Sequence, residues 1–360
     1  MVGTALRQNP EPLTVSAMSA YRTSTRRERA TRPVHPDRTE RRVPRATLTS
    51  TEAASLFAVH PSTVKRWCNE GDLPSELTPG GHRRIRVDAA AGFARDRGIL
   101  TVLTPFHPFE SHVWSAFHAI ATGSSYGPLH ALALQWARRG DFERLEQLYL
   151  ALGRADFISF CDFCDHAVRG LLAEVGEEWE KGRMRVGDEH MVTQAITAVL
   201  QVLRREWQQE RAATRARYGA EASRPRQPVA VVGTPEGNHH AVGALCIRLL
   251  LERMGWRVFY PGADVPIGDF GVIQMSREAD LVCISLPPGG SLGDVARCLS
   301  TLAARYDHAR PFSVAFGGST TLALEGRIEE RPFRSVTFHH DCASLREALE
   351  RDLETLQGTP

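Results

Sequence analysis

The sequence predicts a multidomain chain of three ordered blocks: a winged helix-turn-helix, a four-helix bundle and an α/β sheet of the flavodoxin-like (Rossmann-like) type. Three observations carry that expectation. The 360 residues exceed what one compact core accommodates. Apolar periodicity shifts along the chain from short capped helices, through long amphipathic helices, to alternating strands and helices. The stretch "SRPRQP" then reads as a linker between the last two blocks.

Composition bounds the rest. Charged residues make up 24% and hydrophobic residues 42% of the chain, an ordinary soluble balance. No apolar run approaches the roughly 20 residues of a membrane span, and no secretory apolar core opens the sequence. A cytoplasmic protein without a membrane partner is therefore expected. Seven scattered cysteines, an odd number, argue for reduced thiols. Cys161 and Cys164 form a CxxC, but on a helical pattern and without a second ligand pair at zinc spacing.

Residues 1–46 form a basic arm. Its first 45 residues hold ten arginines, no lysine and four acidic residues. Such a segment buries too little apolar surface to fold alone, and it suits added phosphate contacts or plain solvation.

The first ordered block covers residues 47–100. Thr49 or Ser50 caps a helix carrying Ala53, Ala54, Leu56 and Phe57; after a break at His60-Pro61, Ser62 caps a second helix. Val64 and Trp67 face the core of this pair, while Ser62, Thr63, Lys65 and Arg66 face outward, suited to phosphates and major-groove base edges. "TPGGHRRI" then reads as a hairpin with Gly80-Gly81 at its tip and His82, Arg83 and Arg84 on a basic wing. The block resembles the winged helix-turn-helix of MerR-type regulators, which implies double-stranded operator DNA as a partner.

Residues 105–220 read as helices throughout. Two short ones join at Gly140-Asp141, a longer one ends near Gly182, and a still longer one opens with Asp188 as its cap. Short connections make antiparallel neighbours and hence a four-helix bundle. Residues 228–356 alternate strands near 229–233, 257–261, 281–286, 313–316 and 335–338 with helices near 240–254, 269–278 and 292–305. That alternation predicts a parallel sheet covered on both faces. No GxGxxG stands after the first strand, so the dinucleotide fingerprint is missing.

In its place the first strand runs into "GTPEGNHHAVG". Two histidines at a strand-to-helix turn lie outside the carboxyl ends of a sheet, where ligands bind, although either could simply cap the helix or be solvated. Asn238, His240 and Gly243 fit D-x-H-x-x-G, Ser285 comes after forty-one intervening residues, and Gly317-Gly318 ends the fourth strand. This order resembles the cobalamin-binding module of methionine synthase and its relatives. The resemblance implies His240 as the cobalt ligand, with Asn238 beside it. It also implies a nucleotide-tail pocket at Gly243, Ser285, Gly317 and Gly318.

In the bundle, "WEKGRMRVGDEH" sets nine residues between Trp179 and Glu189-His190. Trp179 alone would be read as a core residue at a helix end. The pattern resembles the cap of the CarH and LitR photoreceptor regulators, where these three residues contact the adenosyl group. That family implies a non-enzymatic, light-responsive repressor. The resemblance also implies that adenosylcobalamin assembles the protein in the dark into a dimer or tetramer on operator DNA and that photolysis releases it. Three departures stand out: Asn238 carries no charge, Pro287 replaces the last residue of S-x-L, and Glu180 stands where the family has a histidine after the Trp. The last of these, Glu180, keeps open a light-independent cobalamin sensor. A corrinoid methyl-transfer or mutase protein is the rival class.

Overall fold

The computed structural model describes residues 46–218, 226–318 and 332–357, and the chain divides into two compact units, residues 1–159 and 160–360. The basic arm, but for Ala46, lies outside the described residues.

In the first unit Thr49 opens α1 (Ser50–Leu56) with a capping box. Its hydroxyl accepts the Glu52 N–H at 3.2 Å while the Glu52 carboxylate accepts the Thr49 N–H. Helix α2 (Pro61–Glu70) is capped by His60 rather than by Ser62 as expected. The reason is Pro61, which has no N–H to satisfy and a fixed φ suited to the first helical position, so the cap moves back. The His60 ring then accepts the Ser62 N–H at 3.2 Å. Strands β1 (Thr47–Leu48), β2 (Glu76–Leu77) and β3 (Arg83–Arg86) pair antiparallel in the order β1-β3-β2, and α3 (Val87–Asp96) comes next. Phe57, Trp67 and Phe93 interlock with ring centroids 4.9 to 5.9 Å apart, and the Arg97 guanidinium covers the two latter rings. The unit continues through α4 (Glu110–Ala121), α5 (Gly127–Ala137) and α6 (Phe142–Gly153), which Asp141 caps at the expected turn.

The second unit opens with α7 (Phe160–Asp162), a π-helical segment (Phe163–Val168), α8 (Arg169–Glu180) and α9 (Val186–Tyr218). The division between units therefore falls inside the segment expected to be one bundle. The third expected helix is interrupted by its π turn. Helix α9 starts two residues before Asp188, which lies in the first turn instead of capping it; a carboxylate there still meets the positive end of the helix.

The rest of this unit is built on a five-stranded sheet, all parallel, in the order β5-β4-β6-β7-β8. Its strands are β4 (Val229–Pro235), β5 (Arg257–Val265), β6 (Leu281–Ser285), β7 (Ser313–Gly317) and β8 (Val336–His339). The covering helices are α10 (Val242–Arg253), α11 (Ile267–Arg277), α12 (Leu292–Ala303) and α13 (Cys342–Gln357). Every residue of β4 is buried, as a central parallel strand requires. Gly233 is demanded there, since a Cβ would lie 2.8 Å from the Gly262 carbonyl oxygen and 3.0 Å from the Phe270 ring. Helix α10 begins two residues past His240 and so leaves both histidines in the loop.

Several contacts tie the helical segments to the sheet domain. Arg204 on α9 grips Glu252 on α10 through two bonds of 2.6 and 2.7 Å, and Arg248 approaches the same carboxylate at 3.1 Å. The Arg253 guanidinium lies 4.1 Å from the Trp207 ring centroid. Asp165, in the π segment, accepts the Cys342 and Ala343 N–H groups at 2.8 and 3.1 Å and so caps α13. Cys161 and Cys164 are buried, which pushes the Cys161 thiol up to about 12 and Cys164 well above its ordinary value. Both remain protonated and unreactive.

Glu252 is the hinge of the first contact, because its removal leaves two guanidinium groups without their carboxylate. Glu252→Ala is expected to cost about 2 kcal/mol of stability, read by denaturant unfolding. A cycle with Arg204→Ala isolates the coupling between the two.

Candidate functional site

Two groups of side chains merit attention, one in each unit. On α2 of the first unit, Ser62, Lys65 and Arg66 are exposed and Thr63 is half-buried, whereas Val64 is fully buried. The outward face is therefore polar and basic as the sequence suggested. Arg66 lies 4.0 Å from Glu70, one turn along. In the hairpin His82 and Arg84 are exposed. Arg83 departs from expectation: its guanidinium donates to Asn69 Oδ1 and, at 3.3 Å, to Ser75 Oγ. Strand alternation sends neighbouring side chains to opposite faces, so Arg83 clamps the hairpin to the end of α2 and leaves Arg84 outside.

In the second unit the sheet order creates a switch point. From β4 the chain returns through α10 to β5 on one side, and from β5 it crosses through α11 to β6 on the other. The loops after β4 and β6 consequently diverge and open a crevice. Asn238 bridges it. Its residue is 1% exposed, its Nδ2 donates to the Ser285 carbonyl at 2.9 Å, and its Oδ1 accepts the His240 N–H at 3.0 Å. Both polar ends of the amide thus bond backbone.

The other predicted residues gather around this bridge. A Cβ at Gly243 would stand 3.3 Å from Ser285 Oγ, so the absent side chain lets the start of α10 approach the end of β6 closely. Ser285 pairs in register with Gly317, and the Leu286 N–H donates to the Gly317 carbonyl at 2.7 Å. The Gly318 N–H reaches the His339 carbonyl at 3.4 Å. His240 is exposed, and among the described residues its ring makes no hydrogen bond. His239 is also exposed, with Nδ1 4.0 Å from Asp264 Oδ2. On the sheet face carrying α11 and α12 a cavity of about 220 Å³ is lined by Pro235, Gly237, Asn238, Ile267, Pro287 and Arg297.

Trp179 is the penultimate residue of α8 and is 48% exposed, which excludes the reading of it as a core residue. Glu189 and His190 form a pair, Oε2 to Nδ1 at 2.5 Å, and Thr193 donates its hydroxyl to Glu189 Oε1 at 3.0 Å. Glu180 is exposed. The sequence reading missed Val186 and Met191, which are exposed apolar side chains at the start of α9. It also missed Thr234 and Asp264, which hold the histidine loop from below. Only the Asp-Val-Pro at the end of β5 could have signalled the last.

This geometry yields two measurable outcomes. Arg83→Ala is expected to lower the melting temperature of the first unit, whereas Arg84→Ala leaves it unchanged. His339 is buried, and burial holds its pKa below the ordinary 6.5. A depressed histidine adds stability above the unfolded value, and that stability is lost as pH falls through the folded one. Unfolding at pH 7 and pH 5 should therefore show an acid loss that His339→Asn reduces.

Comparison with known proteins gives two family matches, a helix-turn-helix domain over residues 47–89 and a B12 binding domain over residues 132–204. The chain is 29% identical over 156 residues to the HTH-type transcriptional repressor CarA of Myxococcus xanthus, covering 43% of this chain and 46% of that protein. It is 30% identical over 165 residues to the repressor CarH of the same organism, covering 46% and 50%. A dimethylamine corrinoid protein of Methanosarcina barkeri is 32% identical over 122 residues, covering 32% and 51%. The chain thus spans about half the length of the curated relatives it matches. It joins a helix-turn-helix domain to a B12 binding domain and is a relative of the CarA and CarH transcriptional repressors.

Proposed function

We propose that this protein is a light-responsive transcriptional regulator, a repressor rather than an enzyme, that holds adenosylcobalamin and binds operator DNA as a cofactor-dependent homo-oligomer. Residues 47–100 read DNA, residues 105–220 cap the cofactor and residues 228–356 hold it. The observation that carries this reading is the juxtaposition at the switch point: an exposed imidazole on His240, fixed through its backbone to Asn238, beside a cradle free of side chains at Gly243 and Gly317.

The residues present fit a corrinoid. A neutral imidazole is a suitable cobalt ligand, and the exposed His240 ring makes no hydrogen bond among the described residues. Ser285, Gly317 and Gly318 border the room between the strand ends for a nucleotide tail. Trp179, with Glu189 and His190 paired on α9, offers an exposed ring and two polar groups to an adenosyl moiety. When bound, adenosylcobalamin supplies a cobalt–carbon bond that light cleaves. The chain supplies the coupling: assembly attends binding only if the associated form holds the ligand more tightly. Paired reading heads, each with Ser62, Thr63, Lys65 and Arg66 on α2 and His82 and Arg84 on the hairpin, then engage repeated half-sites far better than one alone.

One observation favours a second reading. Glu180 stands directly after Trp179, and a carboxylate is a poorer cobalt ligand than imidazole, so the product of illumination differs from a bis-histidine complex or light plays no part.

Size-exclusion chromatography with visible absorbance, on protein given adenosylcobalamin in darkness and after green light, separates these outcomes. A coloured oligomer that shrinks on illumination supports the photoreceptor. A coloured species indifferent to light makes the chain a chemical sensor of cobalamin, and a colourless one removes the corrinoid altogether. His240→Ala is expected to lose more affinity than the roughly 10- to 100-fold that comes with removal of an outer partner alone.

A further inference from the structure

Asp264 is one of three non-glycine residues with positive φ among the described residues, at +56°. The other two, Ala58 and Glu278, sit at helix ends, where a left-handed residue satisfies the last carbonyls. Asp264 has no such duty. It lies near the end of β5, at the lip of the candidate site, where β5 slips against β4 between Gly233 and Pro235. A backbone held in a sparsely populated region persists only where its surroundings over-determine it, and such positions gather at functional sites.

The surroundings are specific. The Asp264 N–H is shared between Thr234 Oγ1 and the Asn238 carbonyl, each at 3.1 Å. The Thr234 hydroxyl donates to that same carbonyl at 2.5 Å. Asp264 Oδ1 accepts the Gly237 N–H at 2.8 Å, and Oδ2 faces His239 at 4.0 Å. Asp264 thus holds the turn on both sides of Glu236 and Gly237 and draws the first histidine towards itself.

We infer that Asp264 is a positioning residue for the histidine loop: it fixes the turn through Gly237 and Asn238 and engages His239, so that His240 is the ring presented to the ligand. Asn238 has both amide ends bound to backbone and carries no charge, and Asp264 is a carboxylate that faces His239. This inference rests on the reading of His240 as a ligand, but its effect on the loop does not.

The test uses the full chain and hydroxocobalamin as probe. Asp264→Gly removes the carboxylate and suits the left-handed backbone, so folding is kept and the melting temperature is unchanged or raised. Asp264→Asn tolerates the same backbone and still offers an oxygen to Gly237. Thr234→Val removes the hydroxyl that links the Asp264 N–H to the Asn238 carbonyl and leaves the Asp264 carboxylate in place. Visible titration should show affinity reduced about 10- to 100-fold in Asp264→Gly and largely rescued in Asp264→Asn. In Asp264→Gly a further His240→Ala change should leave residual imidazole coordination through the released His239, which His240→Ala alone does not. Without any corrinoid, amide hydrogen exchange across residues 236–241 should quicken in Asp264→Gly and Thr234→Val. Wild-type affinity together with unchanged loop exchange in Asp264→Gly would overturn the inference. Failure of the unaltered protein to take up hydroxocobalamin would instead remove the corrinoid reading, leaving the exchange result to judge Asp264 by itself.

Discussion

The second unit hangs on strand β4, which is buried along its whole length and paired on both edges. A central parallel strand has no free edge and no solvent face, so its side chains must be small or apolar throughout. "VAVVGTP" meets that demand with one glycine where the neighbouring backbone comes closest. Because the crossovers leave β4 and β6 towards opposite sides, the two loops part, and a crevice opens without any residue having been selected to make it.

The contents of the crevice are selected. A buried amide is costly unless satisfied, and Asn238 is satisfied by the Ser285 carbonyl and the His240 N–H. The same two bonds that make its burial tolerable fix the distance between the loop and β6. His240 is consequently held at its backbone N–H while its ring stays exposed. An aspartate there would hold the same backbone N–H but would lack the amide hydrogens that reach Ser285. In this chain Asn238 works as a staple on the loop.

The same division of labour recurs in the first unit. Arg83 and Arg84 are adjacent and chemically identical, yet one secures the hairpin and the other faces solvent. A strand's alternation decides which is which. On α2 the apolar Val64 and the stacked Trp67 anchor the helix from within, leaving Lys65 and Arg66 on the open face.

The sequence by itself determined the elements and their order. Capping residues, glycines and the shift in apolar periodicity are local signals, and the helices and strands they announced form within a few residues of the expected bounds. Asn238, His240, Gly243, Ser285, Gly317 and Gly318 were singled out together because their order and spacing resemble the cobalamin-binding module. The tertiary structure decided what those side chains do. That Asn238 bonds backbone rather than imidazole, that Arg83 turns inward, that Trp179 is exposed and that Asp264 stands beneath the histidine loop all depend on partners from distant parts of the chain. The π turn at Phe163–Val168 has the same origin, since it carries Asp165, whose carboxylate caps α13 from across the sequence. Local pattern fixes which residues can meet water or core, but a hydrogen bond needs a partner at a defined distance, and only the packed fold sets that distance.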